Sequence, residues 1–243
     1  MSGIVVEGLG KSFAGPGGGR VQAVGGVGFA VRPGEVLGLL GPNGAGKTTT
    51  LRMLATLLAP ERGRAEIAGC DVAKDPAGVR RRIGYLSAST GLWGRLTPRE
   101  ALRYVAGLQG VPDGKARTET LIARFDIGRF ADVPCERLST GMKQKVGVAR
   151  ALVHDPPVLI FDEPTAGLDV IVADELLTFL EGARGQGRCV LYSTHHMGEA
   201  ERLCDRLAVI HQGRLHAVGT QDELRARTGK QRLEDVFLAL VRP

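Results

Sequence analysis

A chain of 243 residues has room for one large domain or two small ones, and 43% hydrophobic with 24% charged residues is a globular, soluble balance. No run approaches the ~18 apolar residues that cross a membrane, and the start "MSGIVVEGLGK" lacks a long apolar stretch for export, so the chain is expected to stay in the cytosol. The net charge of +6 is dispersed, with no basic tract longer than Arg80, Arg81 and Arg82, which argues for a solvated surface and against a nucleic-acid stripe.

In chain order, "IVVEGL" and "VQAVGGVGFAV" read as antiparallel strands of a small β layer, joined by a Gly-rich tip over 14–20. "VLGLL" at 36–40 reads as a buried strand that leads through a Gly-rich turn into a helix over about 46–59. Between about 95 and 138, "TPREALRYVAGLQG" and "KARTETLIARFDIGRF" carry helical periodicity with no strand pattern between them. They predict a helical insertion whose first helix starts at Thr97-Pro98. Buried strands return at "VLIF" (158–161) and "CVLYS" (189–193), separated by a helix over "VIVADELLTFLEGAR". "LAVIH" and "RLHAV" then close a hairpin around Gln212-Gly213. The alternation predicts an α/β core. Cys70, Cys135, Cys189 and Cys204 lie far apart without a CxxC pair, so they are expected to be small buried hydrophobes, not zinc ligands or disulfides.

The run Gly41, Pro42, Asn43, Gly44, Ala45, Gly46, Lys47, Thr48 and Thr49 matches G-x-x-x-x-G-K-[ST] between a predicted strand and a predicted helix. Glycines let the backbone wrap a phosphate with its N–H groups, Lys47 brings a positive charge to the β- and γ-phosphates, and Thr48 offers a hydroxyl to Mg²⁺. Such a loop needs a carboxylate at the end of a neighbouring strand, and Asp162 follows "VLIF" there. Glu163 is placed to polarise the attacking water; Pro164 after it predicts a turn residue aimed outward. His195 closes another strand beside this site and is a candidate donor to a γ-phosphate oxygen, whereas His196 would point the other way if the strand continued.

"LSTGMKQK" at 138–145 is a second anion-binding device, a Ser-Thr-Gly turn feeding a helix start. Beyond it Met142, Val146, Ala149 and Val153 form one helical stripe, expected to pack in the core with Lys143 and Arg150 off it.

A Walker A "GPNGAGKTT", a signature "LSTGM", a Walker B "VLIFDE", a D-loop "AGLD" and a switch histidine in "STH" stand in the order of an ATP-binding-cassette (ABC) ATPase, and the chain resembles that family over essentially its whole length. The resemblance implies a P-loop NTPase core of the ABC ATPase type with an antiparallel β layer and a helical insertion subdomain. The organisation implied is a single ABC ATPase domain over 1–243, with the insertion at about 95–138 and a C-terminal helical tail at about 219–243. It implies ATP and Mg²⁺ as cofactors, with Thr48 and Asp162 on the metal and Lys47, Glu163 and His195 catalytic. It also implies a head-to-tail dimer, with a second copy or a paralogous ATPase subunit, in which Ser139, Gly141 and Asp169 serve the partner's ATP. Phe13 in "LGKSF" occupies the place of the aromatic that stacks on adenine, a core phenylalanine being the alternative.

The chain departs from the usual L-S-G-G-Q signature at Thr140 and Met142, and Ala88 stands where the family has Gln after "IGYL-x", with Ser87 or Ser89 as substitutes through water. With "STGLWGRLT", "VHDPPVLI" and "STHHMGEAERLCDR", these features look most like the sodium-exporter (NatA-like) branch, and the ending "RLEDVFLALV" resembles the tail of related drug and sodium exporter ATPases. The implied function is the ATPase subunit of an exporter, of sodium by branch resemblance. It would work on an integral-membrane permease from the inner face of the cell membrane, coupled through the region 87–96 and the insertion, with no nucleic acid. A drug or lipid exporter ATPase, an importer ATPase, an idle regulatory subunit and a soluble ABC ATPase acting on nucleic acid or ribosomes are the alternatives.

Overall fold

The computed structural model describes residues 3–15, 18–87 and 91–242. Pro16 and Gly17 of the expected hairpin tip, and Ala88 and Ser89 after "IGYL", lie outside the described residues. The chain opens with β1 (Ile4–Ala14) and β2 (Arg20–Val31), followed by β3 (Val36–Leu40), α1 (Lys47–Leu54), β4 (Arg62–Ile67), β5 (Cys70–Asp71), α2 (Pro76–Arg82) and β6 (Ile83–Leu86). Helices α3 (Pro98–Leu108), α4 (Gly114–Arg124) and α5 (Thr140–Ala151) come next, then β7 (Val158–Asp162), α6 (Val170–Gly185), β8 (Cys189–Thr194) and α7 (Met197–Leu203). The hairpin β9 (Arg206–His211) and β10 (Arg214–Thr220) precedes α8 (Gln221–Thr228) and α9 (Leu233–Val241).

Among the described residues, ten strands make two sheets. An antiparallel sheet has the order β2-β1-β4-β5, and a larger one has the order β10-β9-β3-β8-β7-β6, parallel except for β10. Every residue of β3, β7 and β8 is buried, which is why these strands run apolar instead of alternating until the polar carboxyl ends of β7 (Asp162) and β8 (Ser193, Thr194). Their alternate side chains feed two cores. Val36 and Leu40 join Phe161, Tyr192 and the helices α3 to α9 on one face, while Leu37 and Leu39 join Ile160, Leu191, α1 and the antiparallel sheet on the other. The four cysteines are free and buried, as their spacing predicts.

The parallel register sets the carboxyl ends of three strands side by side. Leu40 pairs with Thr194, and Asp162 with Ser193, so the segments after β3, β7 and β8 leave the sheet along one edge. Two helices stop earlier than their periodicity predicts. The helix after the Gly-rich loop ends at Leu54, not near 59, because Thr56 turns left-handed at φ 60° and the Leu57 N–H reaches back to the Arg52 carbonyl. The second insertion helix runs over Gly114–Arg124 and breaks at Asp126 (φ 50°), leaving a 3₁₀ turn at Gly128–Phe130. On the stripe after "LSTG", Val146, Ala149 and Val153 are fully buried and Met142 packs against them half-buried, with Val153 beyond the end of α5.

Candidate functional site

The loop Gly41–Gly46 is held in shape by what presses on its back. A Cβ on Gly41 would lie 2.2 Å from the Ile210 carbonyl oxygen, and one on Gly46, at φ 102°, would lie 2.5 Å from that of Ala23. Only glycine fits either position. Gly46 caps α1 without a side-chain hydrogen bond, so the first-turn N–H groups of α1 face outward as free donors.

Lys47 is 4% exposed, and its ammonium donates to the carbonyls of Gly41 (2.6 Å) and Pro42 (3.1 Å) and pairs with Glu163 Oε1 at 2.9 Å. The expectation that Glu163 aims outward is corrected here: its side chain is 17% exposed and folds in over Lys47. A left-handed backbone (φ 47°), fixed by the Glu163 N–H donating to the Ser193 carbonyl and hydroxyl, turns the carboxylate inward toward the buried cation. Burial raises the Glu163 pKa, but hydrogen bonds and charge from Lys47 and His195 outweigh it and hold the carboxyl below its ordinary 4.5.

Asp162, 1% exposed, accepts at Oδ1 from the Thr48 hydroxyl (3.2 Å) and the Ser193 hydroxyl (2.7 Å), while its buried Oδ2 has no hydrogen-bond partner. An orphaned carboxylate oxygen beside a hydroxyl suits a hard cation that takes its other ligands from phosphate and water. No cluster of three or more His, Cys, Asp or Glu able to hold a metal occurs among the described residues.

His195 follows β8, and its Nδ1 lies 3.2 Å from Glu163 Oε2. The strand ends at Thr194, so His196 does not alternate to the far side; its ring lies 4.1 Å from that of His195, tilted by 37°. Phe13, 42% exposed, is not a core residue. It lines a cavity of about 300 Å³ together with Ala23, the loop residues Pro42, Asn43, Gly44, Ala45, Gly46, Lys47, Thr48 and Thr49, and Glu163.

Ser139, Gly141 and Asp169 lie elsewhere. They line a separate cavity of about 540 Å³ with Thr140, Met142, Gly167 and Leu168, and this cavity shares no lining residue with the first. Ser139 caps α5 by accepting from the Met142 N–H at 3.3 Å, and Asp169 caps α6 by accepting from Ile171 and Val172 at 3.0 Å. A cleft of about 410 Å³ between α4, α5 and α6 contains none of the phosphate-loop residues. Sequence reasoning missed two contributors. Ser193 joins Asp162 to Glu163 through one hydroxyl, and Gln144 of α5 donates to the carbonyl of Pro164, tying the "LSTG" helix to the loop after Glu163. The polar interruption at the end of an otherwise apolar β8 was the available signal for Ser193.

A parallel strand, a Gly-rich phosphate loop, a helix N-terminus and a neighbouring strand ending in Asp-Glu define a P-loop ATPase. The ABC transporter family model matches residues 24–166. The chain is 41% identical over 222 residues to the ABC transporter ATP-binding protein NatA of Bacillus subtilis (strain 168), covering 90% of each, and 39% identical over 236 residues to the daunorubicin resistance ATP-binding protein DrrA3 of Streptomyces coeruleorubidus, covering 96% of this chain and 73% of that one. A solved ATP-binding subunit of an ABC transporter superposes with a TM-score of 0.88 at 33% identity, covering 99% of this chain and 100% of the other. The chain belongs to the ABC transporter family, as an ATP-binding, ATP-hydrolysing subunit.

Proposed function

We propose that the chain is the motor of an ABC exporter and acts on a separate integral-membrane permease as half of an ATP-dependent dimer. The observation that carries this reading is the division of the site. The phosphate loop, Asp162, Glu163 and His195 gather at one place, whereas Ser139, Gly141 and Asp169 open into a second cavity. Each group is half a site, and a head-to-tail partner, a second copy or a paralogue, supplies the other half.

In this reading the N–H groups of Gly41 to Thr49 cradle the phosphates, Lys47 neutralises the β- and γ-oxygens, and Phe13 stacks on adenine. Thr48 and Asp162 hold Mg²⁺, which when bound neutralises charge on the phosphates. Phosphate draws Lys47 away from Glu163 and so frees the carboxylate. Glu163 then takes the proton from water as its oxygen attacks the γ-phosphorus and the bond to the β,γ-bridging oxygen breaks, with His195 donating to a γ-oxygen. The partner's Ser139-to-Gly141 turn covers the same γ-phosphate.

Among the described residues no helix is long and apolar enough to cross a membrane, so attachment to the inner face of the cell membrane would run through the permease. The resemblance of the motifs to the sodium-exporter branch supports sodium as cargo, and the 39% identity to a daunorubicin resistance protein favours a drug as the second reading. The test is an affinity pull-down of the tagged protein from gently solubilised native membranes. Recovery of a multi-helix permease is expected; ribosomal or nucleic-acid partners without a membrane protein would overturn the exporter reading.

A further inference from the structure

The hairpin turn at Gln212-Gly213, which the reaction scheme leaves idle, touches the phosphate loop from behind. Gly213 donates its N–H to the carbonyl of Ala45 at 2.9 Å, and its own carbonyl accepts from the N–H of Gly25 in β2 at 2.7 Å. One residue therefore bolts the phosphate loop to both sheets. The approach is too close for a side chain: a Cβ on Gly213 would stand 2.8 Å from the Ala23 carbonyl oxygen, and the residue sits at φ 74°. In a planar trans peptide the C=O and the following N–H point to opposite sides. A carbonyl of Ala45 tied back to Gly213 thus turns the Gly46 N–H away from the hairpin. Gly46 has no side chain of its own to hold that peptide, and at φ 102° glycine has many alternative conformations open to it, so the fixing must come from outside the residue.

We propose that Gly213 is a positioning residue for nucleotide binding: through its hydrogen bond to Ala45 it presets the Ala45-Gly46 peptide so that the Gly46 N–H meets a nucleotide phosphate without rearrangement. Preset donors avoid the ordering cost that a floppy loop meets on binding. The inference rests on the ATP-binding reading of the loop. Its effect belongs to ground-state binding, so it separates from turnover.

The experiment is calorimetric titration of ADP into the intact protein and into Gly213→Ala, with Gln212→Asn as a control that keeps a residue tolerant of left-handed backbone in the same turn. Gly213→Ala is expected to raise the ADP Kd about tenfold and the KM for ATP in parallel, with kcat within about twofold, while Gln212→Asn stays within about twofold throughout. A merely structural role for Gly213 would lower the melting temperature and the fraction of binding-competent protein yet leave the Kd of that fraction unchanged, and this result would overturn the proposal. Failure of the parent protein to bind ADP would instead sink the nucleotide reading itself. Should Gly213→Ala not fold, hydrogen exchange of the parent protein decides: the Gly213 amide is expected to gain protection on ADP saturation, and exchange at an open-loop rate in the ADP-bound protein would overturn the proposal.

Discussion

Lys47 meets two carbonyls and one carboxylate with a single ammonium whose three donors are all engaged before any phosphate arrives. Lys47→Ala removes that charge and leaves Glu163 without its buried ammonium partner. Phosphate release is expected to fall to background and the ADP Kd to rise at least about tenfold, about 1.4 kcal/mol or more; unchanged turnover would exclude this site. Glu163 carries a pH signature as well. Its folded pKa lies below 4.5, so the stability its carboxylate contributes is complete above about 4.5 and is lost as pH falls through the lower folded value. Acid titration of unfolding should therefore show a shallower decline below pH 4.5 for Glu163→Gln than for the parent, and parallel acid limbs would refute the Lys47–Glu163 pair. The inward turn of Glu163 was not legible in the sequence. A left-handed non-glycine is decided by partners, here Ser193 and Lys47, that are remote in the chain.

Elements hold one another through their ends. Arg117 on α4 donates to the carbonyls of Leu152 (2.8 Å) and Val153 (3.1 Å), closing the negative end of α5, and lies 3.4 Å from Asp155. The insertion is thereby pinned to the segment that enters β7. Arg117→Ala should lower unfolding stability by about 1.5–3 kcal/mol with little change in m-value, and Arg117→Lys should restore only part of it, because a point charge cannot reproduce the fork. Equal stability of all three proteins in urea would show that the carbonyls find water instead. The start of α3 was legible from Thr97-Pro98, since a capping box is local: Thr97 accepts from Glu100 N–H and donates its own N–H to Glu100. The end of α1 was not, because Leu57 and Leu58 continue the apolar pattern while Thr56 leaves the helix.

At the scale of the molecule, the proposed division of the site between two cavities predicts an assembly that responds to ATP. Glu163→Gln should slow turnover about 10²- to 10⁴-fold and sediment as a dimer at saturating Mg-ATP; a monomer under those conditions would count against the sandwich. Ser139→Arg should abolish hydrolysis while ADP still binds, since Ser139 lies outside the cavity of the phosphate loop. Loss of both activities would indicate misfolding. Next to Asp169 the first turn of α6 exposes Val170 at 85% and Ile171 at 73%, an apolar pair beside the cavity that the proposed dimer would close. Changing both to Asp should reduce the ATP-dependent dimer of the Glu163→Gln protein and leave the ADP Kd unaltered, as read by sedimentation and titration; an undiminished dimer would place the contact elsewhere.

Local chemistry in the sequence determined β1 to β3 and β7 to β10, the phosphate loop and the two carboxylates at the end of β7, because glycine spacing, apolar runs and caps act over a few residues. Strands β4, β5 and β6, short or mixed in polarity, gave no such signal. Family resemblance added the order of motifs and Phe13. Only the tertiary structure decided that Glu163 folds onto Lys47, that Ser193 joins it to Asp162, that His195 and His196 lie together, and that Gly213 holds the loop from behind. Apart from the two neighbouring histidines, each of those contacts joins segments brought together by the parallel register of β3, β7, β8 and β9, and the free energy of such a contact depends on a distance that no window of the chain contains.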